Sequence, residues 1–280
     1  VDEKSSVPIG GDPHIYEPTP GDAKLVAEAN LILRNGLTFE GWLDELIENS
    51  GTKGKIVTIT QGVQPISSEV YKNSTDPHAW MDPILGGIYL KNIKEALIDL
   101  FPEYEVEFTF NHDLYQQQLE DLHQYILDQI LTIPEDRRIL ITSHDAFRYF
   151  GKRYGVRVES VLGTSTDADV QTSDIRRLTE IIQKFKVPSV FIETTVNPAL
   201  LQQIALDNKV AIGGSLYSDS LGDKDSPAAT YLEMLKFNTD TLVKGLTMEN
   251  ETFQKKSNSK WIFVLLGLIL VSTLFFFLKK

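Results

Sequence analysis

Residues 111–132, NHDLYQQQLEDLHQYILDQILT, decide the fold. Leu114, Leu119, Leu122, Ile126 and Ile130 recur at helical spacing with Gln, Glu and Asp between them, and Pro134 stops the pattern. The spacing predicts one uninterrupted helix, the longest of the chain. Upstream, helix is expected over residues 22–29, capped at Gly21 or Asp22, and a short buried strand over 29–33 runs into Asn35-Gly36. Helix 41–48, strand 55–60 (KIVTIT) and helix 83–100, with Pro83 in its first turn, complete that half. Downstream the alternation restarts, with strand 138–142, helix 146–154, strand 156–161 and helix 173–186. Strand 189–192, helix 198–207, strand 210–212 and a last helix over 228–246 follow. Strand–helix alternation on both sides of one long helix predicts an α/β fold with parallel strands. The expected architecture is two α/β lobes bridged by one long backbone helix. Residues 1–110 form the N-terminal lobe, 111–134 the linking helix and 135–247 the C-terminal lobe.

Composition narrows what such a body can do. A chain of 280 residues exceeds what one hydrophobic core usually supports, which agrees with two lobes. A net charge of −12 argues against a nucleic-acid binder, which would show basic stripes interleaved with aromatics. The chain has no cysteine, so any metal it holds must bind through nitrogen and oxygen. Val1 opens the sequence without a charged and then apolar leader, so the expectation is that a signal peptide has been removed or lies outside this stretch.

The end of the chain differs from everything before it. Residues 248–260 (MENETFQKKSNSK) are polar and aperiodic and read as a tether. Residues 261–278 (WIFVLLGLILVSTLFFFL) carry no charge and are closed by Lys279-Lys280. Apolar all round, and just long enough for a hydrocarbon core of about 30 Å, residues 261–280 are expected to form a transmembrane anchor. Trp261 would sit at the interface and the terminal lysines would reach the headgroups. Lys255, Lys256 and Lys260 flank the other end, so charge alone leaves the orientation open.

Three histidines lie in short polar stretches at or just after expected strand ends: His14 in Gly11-Asp12-Pro13-His14, His78 in Asp76-Pro77-His78, and His144 in Thr142-Ser143-His144-Asp145. Asp219, in Tyr217-Ser218-Asp219-Ser220, follows a short apolar run. Neutral imidazoles with a carboxylate suit a borderline divalent ion such as Zn²⁺, Mn²⁺ or Fe²⁺. The repeated Asp-Pro-His tripeptide places a carboxylate where it can hold the backbone or take a proton from the far ring nitrogen. Glu193, ending the expected strand 189–192, is the carboxylate best placed to steady a ligand histidine. His112 and His123 fall among Gln, Asp and Glu of the long helix and are expected on a solvated face.

The blocks GGDPHIYEPTPGDAKLVAEANLILRNGLTFEGWLDELI, DPHAWMDP, ILITSHDAFRYFGKRYG, FIETTVNP and LYSDSLG resemble, in order and spacing, those of the TroA/ZnuA-like family. These are the metal-binding substrate-binding proteins of bacterial zinc and manganese ABC importers. The resemblance implies two α/β lobes joined by a long helix, with His14, His78, His144 and Asp219 as metal ligands, two from each lobe. It implies Mn²⁺ or Zn²⁺ as transported ligand, and an ABC permease with its ATPase as partners. It also implies work at the extracytoplasmic (periplasmic) face of a bacterial cytoplasmic membrane. Three departures stand out. Family members begin with a further strand and helix before the segment starting at Val1. They are soluble or held by an N-terminal lipid, not by a C-terminal helix. Zinc-specific members carry a His-rich loop where residues 61–75 (QGVQPISSEVYKNST) have no histidine.

The leading expectation is therefore metal capture and delivery, not catalysis. A metallohydrolase is the alternative enzyme class, but four protein ligands would leave a tetrahedral ion no water to activate. No His-Glu-x-x-His, Gly-x-Ser-x-Gly or P-loop pattern is present. A metal-binding surface adhesin is a further alternative, supported only by the membrane tether.

Overall fold

The computed structural model describes residues 2–67, 75–167 and 169–248. The expected membrane anchor at 261–280 and nearly all of the tether at 248–260 lie outside them. Among the described residues no helix is long and apolar enough to cross a membrane. Residues 1–247 form one compact unit.

The chain opens with α1 (Pro20–Glu28), β1 (Leu31–Arg34), α2 (Gly41–Ser50) and β2 (Lys55–Thr58), followed by α3 (Pro83–Leu100) and α4 (Glu105–Leu131). Then come β3 (Ile139–Thr142), α5 (Arg148–Tyr154), β4 (Arg157–Ser160), α6 (Thr172–Phe185), β5 (Ser189–Glu193), α7 (Ala199–Asn208), β6 (Ala211–Leu216) and α8 (Tyr231–Thr247). Strands pair β1–β2, β3–β4 and β5–β6, each pair parallel, as the alternation predicts. The α/β class and nearly every expected element are thus present.

Boundaries differ where local chemistry outweighs periodicity. Helix α1 starts earlier than expected because Thr19 is its cap: the Thr19 hydroxyl accepts from Asp22 N–H, the Asp22 carboxylate accepts from Thr19 N–H, and Pro20 follows in the first turn. Helix α4 runs 27 residues and begins at Glu105, six before the predicted start. Glu105 and Glu107 suit the positive end of the helix dipole. In those first turns Val106 and Phe110 are 79% and 68% exposed, so no inward stripe marks them; Leu114, counted into the predicted stripe, is itself 54% exposed.

Helix α4 is no free-standing strut. It packs against α3, and its Leu122, Ile126 and Ile130 enter a core with Phe150 and Tyr154 of α5 and Met234, Leu235, Leu242 and Leu246 of α8. Each such side chain contributes roughly 1.5–3 kcal/mol on burial. Phe191 of β5 closes this core against two glycines. A Cβ on Gly213 or Gly245 would lie 2.7 or 2.6 Å from the Phe191 ring, so only glycine lets β6 and α8 approach this closely. A second cluster joins Ile139 and Ile141 of β3 to Val190 of β5, Leu178 and Ile182 of α6 and Leu201 and Ile204 of α7. These two cores fix the ends of β3, β5 and β6, from which half of the candidate site projects.

Candidate metal centre

Each predicted side chain reaches the site from a rigid support. His14 leaves a turn closed by Gly11 N–H donating to Pro8 O, and Trp42 Nε1 of α2 pins the preceding carbonyl, Pro13 O, at 3.0 Å. His78 stands just before the single helical turn Ala79–Met81 that leads into α3. His144 lies two residues past β3, and Asp219 three past β6. A bond from Gly10 N–H to Ser220 Oγ, 2.7 Å, ties the His14 turn to the Asp219 loop.

The structure brings all four together. One donor atom from each of His14, His78, His144 and Asp219 lies within 4.8 Å of every other. His14 Nε2 is 3.2 Å from His78 Nε2, which is 3.3 Å from Asp219 Oδ1; His144 Nε2 is 3.2 Å from Asp219 Oδ2. Three imidazole edges and both carboxylate oxygens therefore face one point. A tetrahedral shell with bonds of about 2.0–2.1 Å has edges of roughly 3.4 Å, so these separations match donors around a single small ion. His144 Nε2 and Asp219 Oδ1 are buried without a hydrogen-bond partner. Buried polar atoms are rarely left so, and a cation at the common point would satisfy both.

Carboxylates behind the rings fix their orientation. Asp76 Oδ1 accepts from both the backbone N–H of His78, 2.9 Å, and its ring Nδ1, 2.7 Å. The ring's other nitrogen is thereby left bare toward the centre. Glu193 takes the same position behind His144, as expected of it. Its Oε1 lies 2.6 Å from Nδ1 as a close ion-pair contact without hydrogen-bond alignment. Its Oε2 accepts from the backbone N–H groups of Ser143 and His144 at 2.7 and 3.1 Å. The first Asp-Pro-His behaves differently. Asp12 accepts the backbone N–H of His14, 2.9 Å, and not its ring, and among the described residues no carboxylate backs the His14 ring. Phe39 packs edge-on to that ring, centroids 4.9 Å apart, and tilts against Trp80 at 5.0 Å.

Protons are distributed accordingly. Burial, opposed by Asp219 and reinforced by the other two imidazoles, pushes His14 down to about 3. Burial alone would lower His78 and His144 as well. In His78 the close carboxylates of Asp219 and Asp76 outweigh it and raise the ring; in His144 the charges of Glu193 and Asp219 raise it well above the imidazole value. Burial works against the Asp219 charge too, but His144 and His78 hold that carboxyl well below its usual range. Three carboxylates, Asp76, Glu193 and Asp219, thus surround the three rings, and a dication would offset two of their charges.

Two expectations need amendment. His123 is not on a solvated face: its Nδ1 lies 3.0 Å from Tyr154 Oη, where α4 packs on α5. Nor is His112 fully solvated: its side chain is 15% exposed and its Nδ1 lies 2.8 Å from its neighbour Asp113, remote from the site in sequence and in partners. Sequence reasoning passed over Thr195 and Ser218, whose hydroxyls face Asp219 Oδ2 at 3.3 and 3.2 Å. It also passed over Trp80, whose Nε1 donates to Ser218 O at 2.9 Å and so binds the His78 loop to the Asp219 loop. Trp80 sits inside the quoted DPHAW block, where an aromatic two residues past a candidate ligand was the available signal.

Comparison with known proteins gives a consistent picture. The family model for the zinc-uptake complex component A, periplasmic (ZnuA) matches residues 1–245. The manganese-binding lipoprotein MntA of Halalkalibacterium halodurans is 35% identical over 249 residues, covering 88% of this chain and 82% of the relative. The zinc-binding protein TroA of Treponema pallidum is 34% identical over 244 residues, 85% of this chain and 79% of the relative. The solved structure of periplasmic TroA from Treponema pallidum matches with a TM-score of 0.82 at 34% identity, over 86% of this chain and 89% of that one. A Mn-bound periplasmic metal-binding protein from Candidatus Liberibacter asiaticus matches with a TM-score of 0.79 at 29% identity, over 86% and 90%. With an α/β fold of the TroA type and a match along nearly its whole described length, the chain belongs to the ZnuA family.

Proposed function

We propose that this protein captures a divalent transition metal, Mn²⁺ or Zn²⁺, outside the cytoplasm and delivers it to an ABC importer's permease and ATPase. The observation that carries the reading is the convergence of His14, His78, His144 and Asp219, drawn from four distant stretches of chain, on one point. Carboxylates behind His78 and His144 and the unpartnered His144 Nε2 and Asp219 Oδ1 support those four as inner ligands. With both Asp219 oxygens facing the centre, coordination can rise from four to five, which accommodates Mn²⁺ as readily as Zn²⁺. The relatives named above are metal-binding proteins by name, and none is named as a hydrolase or an adhesin.

The reading includes a division of labour along the chain. Residues 1–110 and 135–247 are the two lobes and 111–134 the helix between them. Residues 248–260 serve as a tether and 261–280 as an anchor that keeps the protein beside its permease. Deleting 261–280 is expected to release the protein from membranes with metal affinity unchanged; retention in the membrane pellet after carbonate extraction would refute the anchor.

The site itself is tested by substitution. His14→Ala, His78→Ala, His144→Ala and Asp219→Ala are each expected to lower affinity for Mn²⁺ or Zn²⁺ by at least about tenfold, while His112→Ala binds as the unaltered chain does. Competition titration with a chromophoric chelator reads this directly. Tight one-to-one binding that survives loss of His144 would overturn the assignment.

A further inference from the structure

The four converging side chains are not equally enclosed. Those of His78, His144 and Asp219 are 0% exposed, whereas His14 lines a surface cleft of about 470 Å³. Glu17, Phe39 and Gly41 line this cleft from the first fifth of the chain, and Thr164, Ser165 and Asp167 line it from the loop after β4. Another cavity, of about 410 Å³, flanks the same cluster; Asp12, Ser143, Thr166, Thr195 and Asn197 line it beside a larger aliphatic share that includes Val196. None of the four donors lines it.

We propose that the metal ion enters and leaves through the His14 cleft, with His14 as the exchange ligand: the last to close on an arriving ion and the first to open on a departing one. This rests on the metal-capture reading above. Two independent observations carry it. The first is access: a dication sheds water only where polar groups replace it, and stripping it along apolar walls is costly. The His14 cleft offers the hydroxyls of Thr38, Thr164 and Ser165 and the carboxylates of Glu17 and Asp167, whereas the other cavity presents mainly aliphatic walls. The second is restraint. His78 and His144 are each backed by a buried carboxylate at Nδ1, but among the described residues the His14 ring has none; it packs edge-on to Phe39 and against the two neighbouring imidazoles. It is the ring that turns aside with the fewest bonds broken. Glu17 and Asp167 at the mouth would also raise the local concentration of cations and speed their arrival.

Plugging the cleft tests the route. An added Cβ at Gly41, the first residue of α2, meets nothing within 4 Å, so Gly41→Phe starts from open space. Ser165→Phe obstructs it from the loop after β4, and Val196→Phe fills the other cavity as a control. Zn²⁺ alone is the probe, with rates followed in the full chain by stopped-flow exchange with a chromophoric chelator. Both cleft variants are expected to slow association and dissociation together by at least about fivefold while the equilibrium affinity moves less than about twofold, the signature of a gated path. Val196→Phe should leave both rates unchanged. Glu17→Gln with Asp167→Asn should slow association alone, by roughly threefold or more at low salt, with the difference lost at high salt. Unaltered rates in both cleft variants, or slowing by Val196→Phe alone, would overturn the route. Absence of stoichiometric Zn²⁺ binding in the unsubstituted protein would instead remove the metal-capture reading on which the route depends.

Discussion

Glu193→Gln is the most discriminating substitution the site offers. The carboxylate meets three nitrogen donors with two oxygens: Oε1 faces His144 Nδ1, and Oε2 takes the N–H groups of Ser143 and His144. Glutamine keeps the shape but has one acceptor oxygen, and its amide group must then point its own hydrogens at a donor. If the oxygen stays on the two backbone N–H groups, His144 loses the anion behind its ring. Removing such a partner typically lowers metal affinity by about 10–100-fold, or about 1.4–2.7 kcal/mol. If the amide flips, the backbone donors are orphaned in a buried site, at a cost of about 1–3 kcal/mol of folding stability. Either way affinity and stability do not both survive. A pH dependence follows as well, because Glu193 is the leading charge that raises His144. Without it His144 holds its proton less tightly, so part of the affinity loss is recovered as pH falls and protons compete. Chelator competition at pH 8 and pH 6, with urea denaturation of the metal-free protein, gives all three quantities. Affinity within twofold of the unaltered protein at pH 8, together with unchanged stability, would refute the role assigned to Glu193.

Two further outcomes follow from the same geometry. His78 and His144 hold protons above the ordinary imidazole value in the metal-free site, and binding must displace them; affinity should therefore fall as pH falls, with the loss beginning above about 6.5. Calorimetry in two buffers of different ionisation enthalpy counts the protons released, and binding at pH 7 that releases none would refute it. Tyr149→Phe removes a hydroxyl that accepts from Ile66 N–H and donates to Asp76 O, leaving two backbone groups of the His78 loop unpaired. Stability to urea should drop by about 1–3 kcal/mol, and a change below the error of the fit would refute that bridge.

The parts that were legible in the sequence are those governed by local rules. Alternating short strands and amphipathic helices gave the parallel pairs, and Leu119, Leu122, Ile126 and Ile130 announced α4 because they face a core at every fourth residue or so. Its first turns did not show because their apolar residues face outward, and the start of α1 was misplaced because a reciprocal cap, not periodicity, sets it. The four candidate ligands stood out by their polar settings at strand ends and by the family resemblance. Only the resemblance implied that they meet, since no local pattern carries a distance across the 64 residues between His14 and His78. His123 was misjudged for the same reason. Its flanks are polar, but Tyr154, 31 residues on, covers it. Asp12 and Asp76 look alike in sequence and act differently, because only the second loop turns its histidine ring back toward its own aspartate.

The wide spacing of the ligands also bears on how long a copy of the protein survives. No short stretch of this chain contains more than one of His14, His78, His144 and Asp219, so an opened or partly degraded chain has almost no hold on the ion. Binding free energy is then added whole to the folded state: at free metal one hundred times the dissociation constant, this is about 2.7 kcal/mol. A protease that acts on the opened chain would meet a loaded copy about a hundredfold less often than an empty one. Metal supply would in this way set the abundance of the protein that gathers it, with no regulator other than mass action.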